Sequence, residues 1–551
     1  MSGLEVPGLV VGVAGVVIAF KGAVDTALLI ESFFDDARAD CGYLALSYHI
    51  EQTRLQLWGE LCKANDESRS DECTLRDKPE YLKTLIVRIL GEIRKLNEEA
   101  NALIFRYNID LPALPELDLD DNLAPNRALP AALSKKTTKP KSRLRWTVRG
   151  KSEFQEVVTK LRKLVSDLHE LNVHSGESQL PEKVLPPQVL APLTNPKLLQ
   201  ILSNPQNQMS RTLALSAQAK SLHQKLDHAS ANSTTTITDR QLEFRTGSSV
   251  TAIFFHPSGQ ILPVWVEWNQ FDSGRHSDRY SALIKSLGYV LERVGQPELC
   301  LPPFYGVYDD LKFETEHGFK RMGFVFGLPQ SDPSLQLSYE PNLQLYPPQS
   351  LKALIKEGKS ATIPLLGDRF RLAYRLANAF SLFHAAGWLH KGMHSGNIMF
   401  LHQANGLGIT VSEPFITGFQ YSRPQGVVSL SRGPLEDATL DHYYHPDAHL
   451  GFTKQRDLYS LGVVLCEIGR WALVADTVTD RRRKQLTSRQ AWRQYMLNHV
   501  VEDLGWRMGK LYRDAVKTLL DSSLPADDAG DAFFAQQFLE RVIQPLSMCT
   551  A

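Results

Sequence analysis

Two stretches of the chain repeat their apolar residues every three to four positions. Tyr81, Leu82, Leu85, Ile89, Ile93 and Leu96 line one side of a helix, while Arg88, Glu92, Arg94 and Lys95 fall elsewhere. Phe154, Val157, Val158, Leu161, Leu164, Val165, Leu168 and Leu171 repeat in the same way, with Lys160, Arg162, Lys163 and Asp167 on the wet side. These periods predict an all-α helical bundle over residues 1–173. Between them stand Pro112, Pro115, Pro125 and Pro130, then cations from Lys135 to Lys151 with no acid. Such a run has two readings. It either draws the chain toward anionic lipid head groups, each cation contributing roughly 1 kcal/mol there, or it is a solvated loop leading into the second helix.

The period fades over residues 174–238. Pro181, Pro186, Pro187, Pro192, Pro196 and Pro205 predict irregular chain from 174 to 205. A short helix is expected from Met209 to Leu226, and the polar tract Ala229 to Thr236 completes a linker. From residue 239 the texture becomes strand-like. Leu242 to Arg245, Thr251 to His256 and Ile261 to Trp268 are rich in β-branched and aromatic residues, separated by turns at Gly247-Ser248-Ser249 and Pro257-Ser258-Gly259. Phe304 to Tyr308 and Met322 to Phe326 read as further strands, and after Gly327-Leu328-Pro329 the pattern is mostly helical. Strands followed by helices predict an α+β domain over 239–551, with a small sheet lobe and a larger helical lobe.

The opening of the chain changes this picture. Val6 to Phe20 carries no charge, yet Glu5 precedes it where a signal peptide wants a basic start, and Lys21 and Asp25 cut it short of the roughly 20 apolar residues of a spanning helix. Helices apolar on every side are usually core, so this one is expected at the buried centre of the bundle at rest. The expected location is cytoplasmic. At 551 residues the chain exceeds one core. Lys plus Arg equals Asp plus Glu at 61 each, so no global field favours nucleic acid. The six cysteines (Cys41, Cys62, Cys73, Cys300, Cys466 and Cys549) are scattered like thiols of a reducing compartment. His442, His445 and His449 are close in sequence, but no Cys or carboxylate set completes a metal site, and none is expected.

The densest chemistry lies in the second half. The run Gly387-Trp388-Leu389-His390-Lys391-Gly392-Met393-His394-Ser395-Gly396-Asn397-Ile398-Met399-Phe400 resembles the protein-kinase catalytic loop, His-Arg-Asp followed five residues later by Asn and then a short apolar strand. Phe415-Ile416-Thr417-Gly418-Phe419-Gln420 stands where a kinase carries Asp-Phe-Gly. Arg456-Asp457-Leu458-Tyr459-Ser460-Leu461-Gly462 resembles the start of the kinase large-lobe core helix, whose Asp is structural. The resemblance spans about residues 239–545 and implies a bilobal protein-kinase-like fold.

The same resemblance implies lost chemistry. Gly392 stands in the place of the carboxylate that orients the attacking hydroxyl, and Gly418 in that of the magnesium-binding Asp. His394 replaces a Lys, Glu267 falls at the phosphate-binding Lys of strand three, and the glycine-rich loop retains only Gly247. Asn397 alone persists among the metal and phosphate ligands, with His390 and Asp457 in structural roles. Positioning and charge stabilisation supply nearly all the catalysis of phosphoryl transfer, so the expectation is a pseudokinase. No cofactor is expected, and any binding of ATP and magnesium through Gly247, Glu267 and Asn397 is expected to be weak.

The N-terminal part has its own resemblance. Pro7-Gly8-Leu9-Val10-Val11-Gly12-Val13-Ala14-Gly15, Phe33-Phe34-Asp35-Asp36-Ala37-Arg38, Arg54-Leu55-Gln56-Leu57-Trp58-Gly59 and Leu144-Arg145-Trp146-Thr147-Val148 form an ordered set similar to the fungal HeLo (prion-inhibition and propagation) domain. This implies a bundle whose first helix can be released into a membrane in cell death of the heterokaryon-incompatibility type. Val10, Val11, Val13, Val16, Val17, Ile18 and Phe20 would supply its apolar surface, and Gly8, Gly12 and Gly15 would permit close helix contact. The joined architecture also looks like the mixed-lineage-kinase-like executioner of necroptosis, an analogy at fold level. No amyloid-forming tail is evident, since Phe533, Phe534, Phe538, Leu539 and Val542 continue a helical pattern toward the end.

Three functions therefore compete. The first is a regulatory or scaffold pseudokinase restraining a membrane-active bundle, with protein partners on the kinase-like lobe, homo-oligomers through the bundle, membrane association on activation and no nucleic acid. The second is a divergent, active Ser/Thr kinase borrowing a carboxylate such as Asp441, Asp447 or Glu413. The third is an adaptor with no membrane role.

Overall fold

A computed structural model of the chain describes residues 13–26, 39–64, 73, 75–76, 78–106, 150–171, 186–191, 193, 195–204, 211–224, 234–272, 277–329, 345–357, 363–403, 408–419, 423–424, 438–526 and 529–551. Val10 and Val11, the Phe33 to Asp40 stretch up to residue 38, the prolines 112–130, the cations 135–149 with Trp146, and Gln420 lie outside the described residues. The chain divides into two compact units, residues 1–185 with 193–201 and residues 186–192 with 202–551.

The first unit is helical: α1 (Val13–Asp25), α2 (Ala39–Leu61), α3 (Glu80–Arg106) and α4 (Lys151–Leu171). Both periodic segments are helices, and α3 continues to Arg106. The buried centre, however, belongs to α2. Leu44, Leu46, Tyr48, Leu55, Leu57 and Trp58 are buried, and so are Ser47, Glu51, Gln52 and Thr53. Buried polar groups need partners, and the bundle supplies most of them. Asn97 of α3 accepts from Tyr48 Oη and Gln52 Nε2, both at 2.7 Å. Arg54 and Arg162 donate to Glu51 at 2.7 and 2.9 Å, and Trp58 Nε1 donates to the Leu168 carbonyl at 2.9 Å.

Helix α1 buries one side only. Val16, Val17, Phe20 and Ala23 are buried, whereas Ile18 is 62% exposed. The expectation that α1 is the centre of the bundle is therefore corrected. Composition marks a helix as apolar all round, but α1 meets neighbours on one side, chiefly α3. Its Phe20 ring seats over Gly59 of α2, where a β-carbon would lie 2.0 Å from Cζ.

A second correction concerns the proline-rich segment. Residues 186–190 are helical, and α5 (Pro196–Leu202) opens on Pro196. Proline in the first turn loses only an N–H that has no helical partner anyway, so it starts a helix as readily as it breaks one. Helix α6 (Arg211–Gln224) falls where a short helix was expected, and it is part of the second unit.

The second unit contains β1 (Thr236–Ile237), β2 (Leu242–Phe244), β3 (Thr251–Phe255), β4 (Ile261–Asp272), β5 (Phe304–Asp309) and β6 (Phe319–Gly327). They form one sheet in the order β1-β5-β6-β4-β3-β2, antiparallel except for the β1–β5 pair. Val264 and Val266 of β4 pack with Phe254 and Val325 on one face. Strand alternation sends Trp265, Glu267 and Asn269 to the other face. Between β4 and β5 runs α7 (Ser277–Val294). Beyond β6 come α8 (Leu366–Ala385), α9 (Lys454–Arg470), α10 (Val501–Leu520) and α11 (Asp531–Phe538), with short strands β7 (Trp388–Leu389), β8 (Ile398–Phe400) and β9 (Phe415–Ile416). Helix α9 is buried through nearly its whole length and is capped by Thr453 Oγ1, which accepts from the Arg456 N–H at 3.2 Å. α10 packs along it, with Gly462 and Gly469 admitting Leu519 and Leu504 to close range.

Candidate functional site

Asp457, on the first turn of α9, organises the loop from His390 to Asn397. Its buried carboxylate accepts from the backbone N–H groups of His390 (3.0 Å) and Lys391 (2.8 Å) and faces His384 Nε2 at 2.9 Å. Lys391 takes a left-handed conformation, φ 63°, which the double clamp on its amide and its neighbour's holds in place. Burial pushes the Asp457 carboxyl up, but the His384 hydrogen bond and the nearby imidazoles outweigh it and leave it below the ordinary value. His390 is buried, and desolvation lowers its imidazole below the ordinary value. Its Nδ1 accepts from the Gly392 N–H at 3.3 Å, so Nε2 donates to the Thr417 carbonyl at 2.8 Å. Phe419 packs on the same ring, with centroids 5.1 Å apart.

The positions without side chains are filled by neighbours. Asn397 Nδ2 donates to the Gly392 carbonyl at 2.7 Å. The amide also lies over Gly418, where an added β-carbon would be 2.2 Å from Nδ2. Gly418 has φ +81°, a conformation in which L side chains are strained. Its N–H donates to Glu267 Oε1 at 2.8 Å, joining the sheet lobe to the end of β9. Glu267 is half-buried, its Oε2 is shut off from solvent with no hydrogen-bond partner, and no cation stands beside it among the described residues. Burial raises its carboxyl to about 7, against a smaller lowering by the Gly418 N–H. The group is therefore about half protonated near neutral pH and a neutral acid below it.

Glu267, Gly418, Asn397, Gly392 and His390 thus gather in one cluster, with Phe419 on its flank. Gly247 does not join them by any contact; it forms an exposed hairpin turn at φ +79°, with open space at its Cα. His394 caps the following turn by accepting from the Gly396 N–H at 3.0 Å. Asp441 is gripped by Arg489 at 2.7 and 3.0 Å. His442 lies against Trp492, while His445 meets Ser522 Oγ at 3.0 Å. Among the described residues no group of three or more His, Cys, Asp or Glu gathers as metal ligands.

Sequence reasoning missed Trp265. Two residues before Glu267 on the same face of β4, it is 2% exposed and stacks on Phe326 with centroids 4.8 Å apart. The alternation of β4 was a usable signal, because any residue two before Glu267 must share its face.

In the first unit, Val13, Val16, Val17, Ile18 and Phe20 lie on α1. Asn97 Nδ2 donates to the Ala23 carbonyl at 2.9 Å and Asn101 Nδ2 to that of Thr26 at 3.1 Å, tying down the helix C-terminus. Among the described residues no helix is long and apolar enough to cross a membrane.

Residues 8–185 match the family model of the HeLo domain, described as prion-inhibition and propagation. Residues 327–547 match a domain of unknown function, DUF7580, whose first residue is the last of β6. No curated protein matches the chain.

Proposed function

We propose that the second unit is a protein-kinase-like regulatory or scaffold module without phosphotransfer chemistry, joined to a HeLo-type bundle that it restrains. The observation that carries this reading is the closed cluster of Glu267, Gly418, Asn397 and Gly392. Phosphoryl transfer needs carboxylates free to hold magnesium and to orient the attacking hydroxyl. Here two such places are glycine, and the one surviving amide is spent on the Gly392 carbonyl. The only carboxyl in the cluster, that of half-buried Glu267, is bonded to a backbone N–H. Trp265 stacked on Phe326 further fills the face of the sheet beside it.

A thermal-shift titration of the full chain with ATP, with and without magnesium, tests this. A ligand at a hundred times its dissociation constant adds about 2.7 kcal/mol of stability. No shift is expected at millimolar ATP, and a magnesium-dependent one would overturn the reading.

The HeLo match suggests fungal prion-inhibition and cell-death-type signalling. Within that frame we read α1 as the segment released toward membrane on activation. In support, its hold on the bundle is one apolar side plus the tethers from Asn97 and Asn101 at its C-terminal end. The Asn97→Ala chain should bind and permeabilise anionic liposomes more than wild type, and adding Ile18→Glu should reverse the gain. If neither chain binds or leaks dye, the membrane role fails and an adaptor remains. Protein partners on the second unit and self-association through the bundle belong to the same proposal.

A further inference from the structure

Helix α6 forms one wall of a cavity of about 50 Å³ inside the second unit. Ser216 and Ala219 face it from α6, Leu287 and Leu291 from α7, Leu382 from α8, and Phe419 lines it as well. Two other polar side chains reach the wall, and both are bonded elsewhere. Trp388 Nε1 donates to the Ala219 carbonyl at 3.4 Å, and both His390 ring nitrogens are engaged by Thr417 and Gly392.

Ser216 differs. It is 2% exposed, and its hydroxyl has no hydrogen-bond partner among the described residues. A helical serine ordinarily satisfies itself by bonding back to the carbonyl four residues earlier, and this one does not. A water molecule would not resolve the vacancy, because buried waters need two to four polar partners and this wall offers one. No ionisable side chain with a free polar atom lines the space, so a charged ligand would be stranded there.

We infer that this cavity is a binding site for a small, uncharged, mostly hydrocarbon molecule bearing one hydrogen-bond acceptor, which the Ser216 hydroxyl donates to. Because α6 supplies the donor and α7, α8 and Phe419 supply the apolar walls, the ligand fastens the segment that follows α5 onto the second unit. The inference does not rest on the absence of phosphotransfer.

The test compares dimethyl ether with propane, an isosteric pair of about the size of the cavity, on the full chain, by ligand-observed NMR and by thermal shift. In the wild type the ether should bind about tenfold more tightly than the hydrocarbon, the worth of one hydrogen bond. Ser216→Ala should erase that preference and leave hydrocarbon binding unchanged. Ala219→Val, whose two added methyl groups take up about the same space, should bind neither while keeping its helical circular dichroism. The inference is overturned if the wild type binds neither probe up to its solubility, if Ser216→Ala keeps the ether preference, or if Ala219→Val binds as the wild type does.

Discussion

Replacing Glu267 by Gln isolates the electrostatic consequence of burying a carboxyl with no cation beside it among the described residues. Burial raises this group from its ordinary 4.5 to about 7 in the folded protein. At about 1.4 kcal/mol per pH unit, that gap corresponds to about 3 kcal/mol. The sign follows from proton binding. Between pH 4.5 and 7 the folded state holds a proton that the unfolded state has released, so the stability is complete below about 4.5 and is lost as pH rises through about 7. Glutamine keeps an acceptor for the Gly418 N–H but cannot ionise. Its own offset, from the amide N–H₂ that replaces Oε2, is the same at every pH. Glu467, also raised to about 7 by burial, is present in both proteins and cancels from the comparison. Urea unfolding of the second unit at pH 4.5, 6, 7 and 8 should therefore show the variant gaining about 3 kcal/mol on the wild type across that span. A difference that stays flat with pH would mean that Glu267 is ionised throughout, and the reading of a carboxyl raised by burial would be refuted.

Three other substitutions probe the framework. Gly418→Asp restores a carboxylate in name only. Its left-handed backbone costs roughly 1–2 kcal/mol and the collision with Asn397 about 1–3 kcal/mol more, so thermal melting should drop with no magnesium-dependent ATP binding gained. Asp457→Ala strands the His390 and Lys391 amides and leaves His384 without its acceptor, a loss of about 3 kcal/mol or more that denaturant titration of the second unit will show. Gly59→Ala drives a methyl into Phe20, and an overpacking cost of about 1–3 kcal/mol should loosen α1, seen as faster proteolysis near its ends.

How much was legible beforehand differs between the two halves of the site. Helices α3 and α4 were readable because each keeps a period of 3.6 residues, strands β2 to β6 because each is a short run of β-branched and aromatic residues between turns, and the start of α9 through its resemblance. The bare positions Gly392 and Gly418 were equally plain, since a missing side chain is a fact of sequence. What fills them was not. Asn397 could have faced outward as a ligand, and nothing local sends its amide to the Gly392 carbonyl. The bond from Gly418 to Glu267 joins residues 151 apart in the chain.

The same division holds for the whole protein. Sequence alone marked helices α3 and α4 and strands β2 to β6, showed glycine at positions 392 and 418, and set Asp457 at the head of a helical segment. Tertiary structure decided that α2 and not α1 is the centre of the bundle, although α2 carries Glu51, Gln52 and Thr53 and α1 carries almost no polar residue. It also decided that α6 belongs to the second unit, and that Ser216 on it faces an apolar cavity. The physical reason is that periodicity reports which side of an element is apolar, whereas burial depends on which neighbours arrive there. A polar residue can be central when Asn97 and Arg162 meet it, and an apolar one such as Ile18 can remain in water when nothing does.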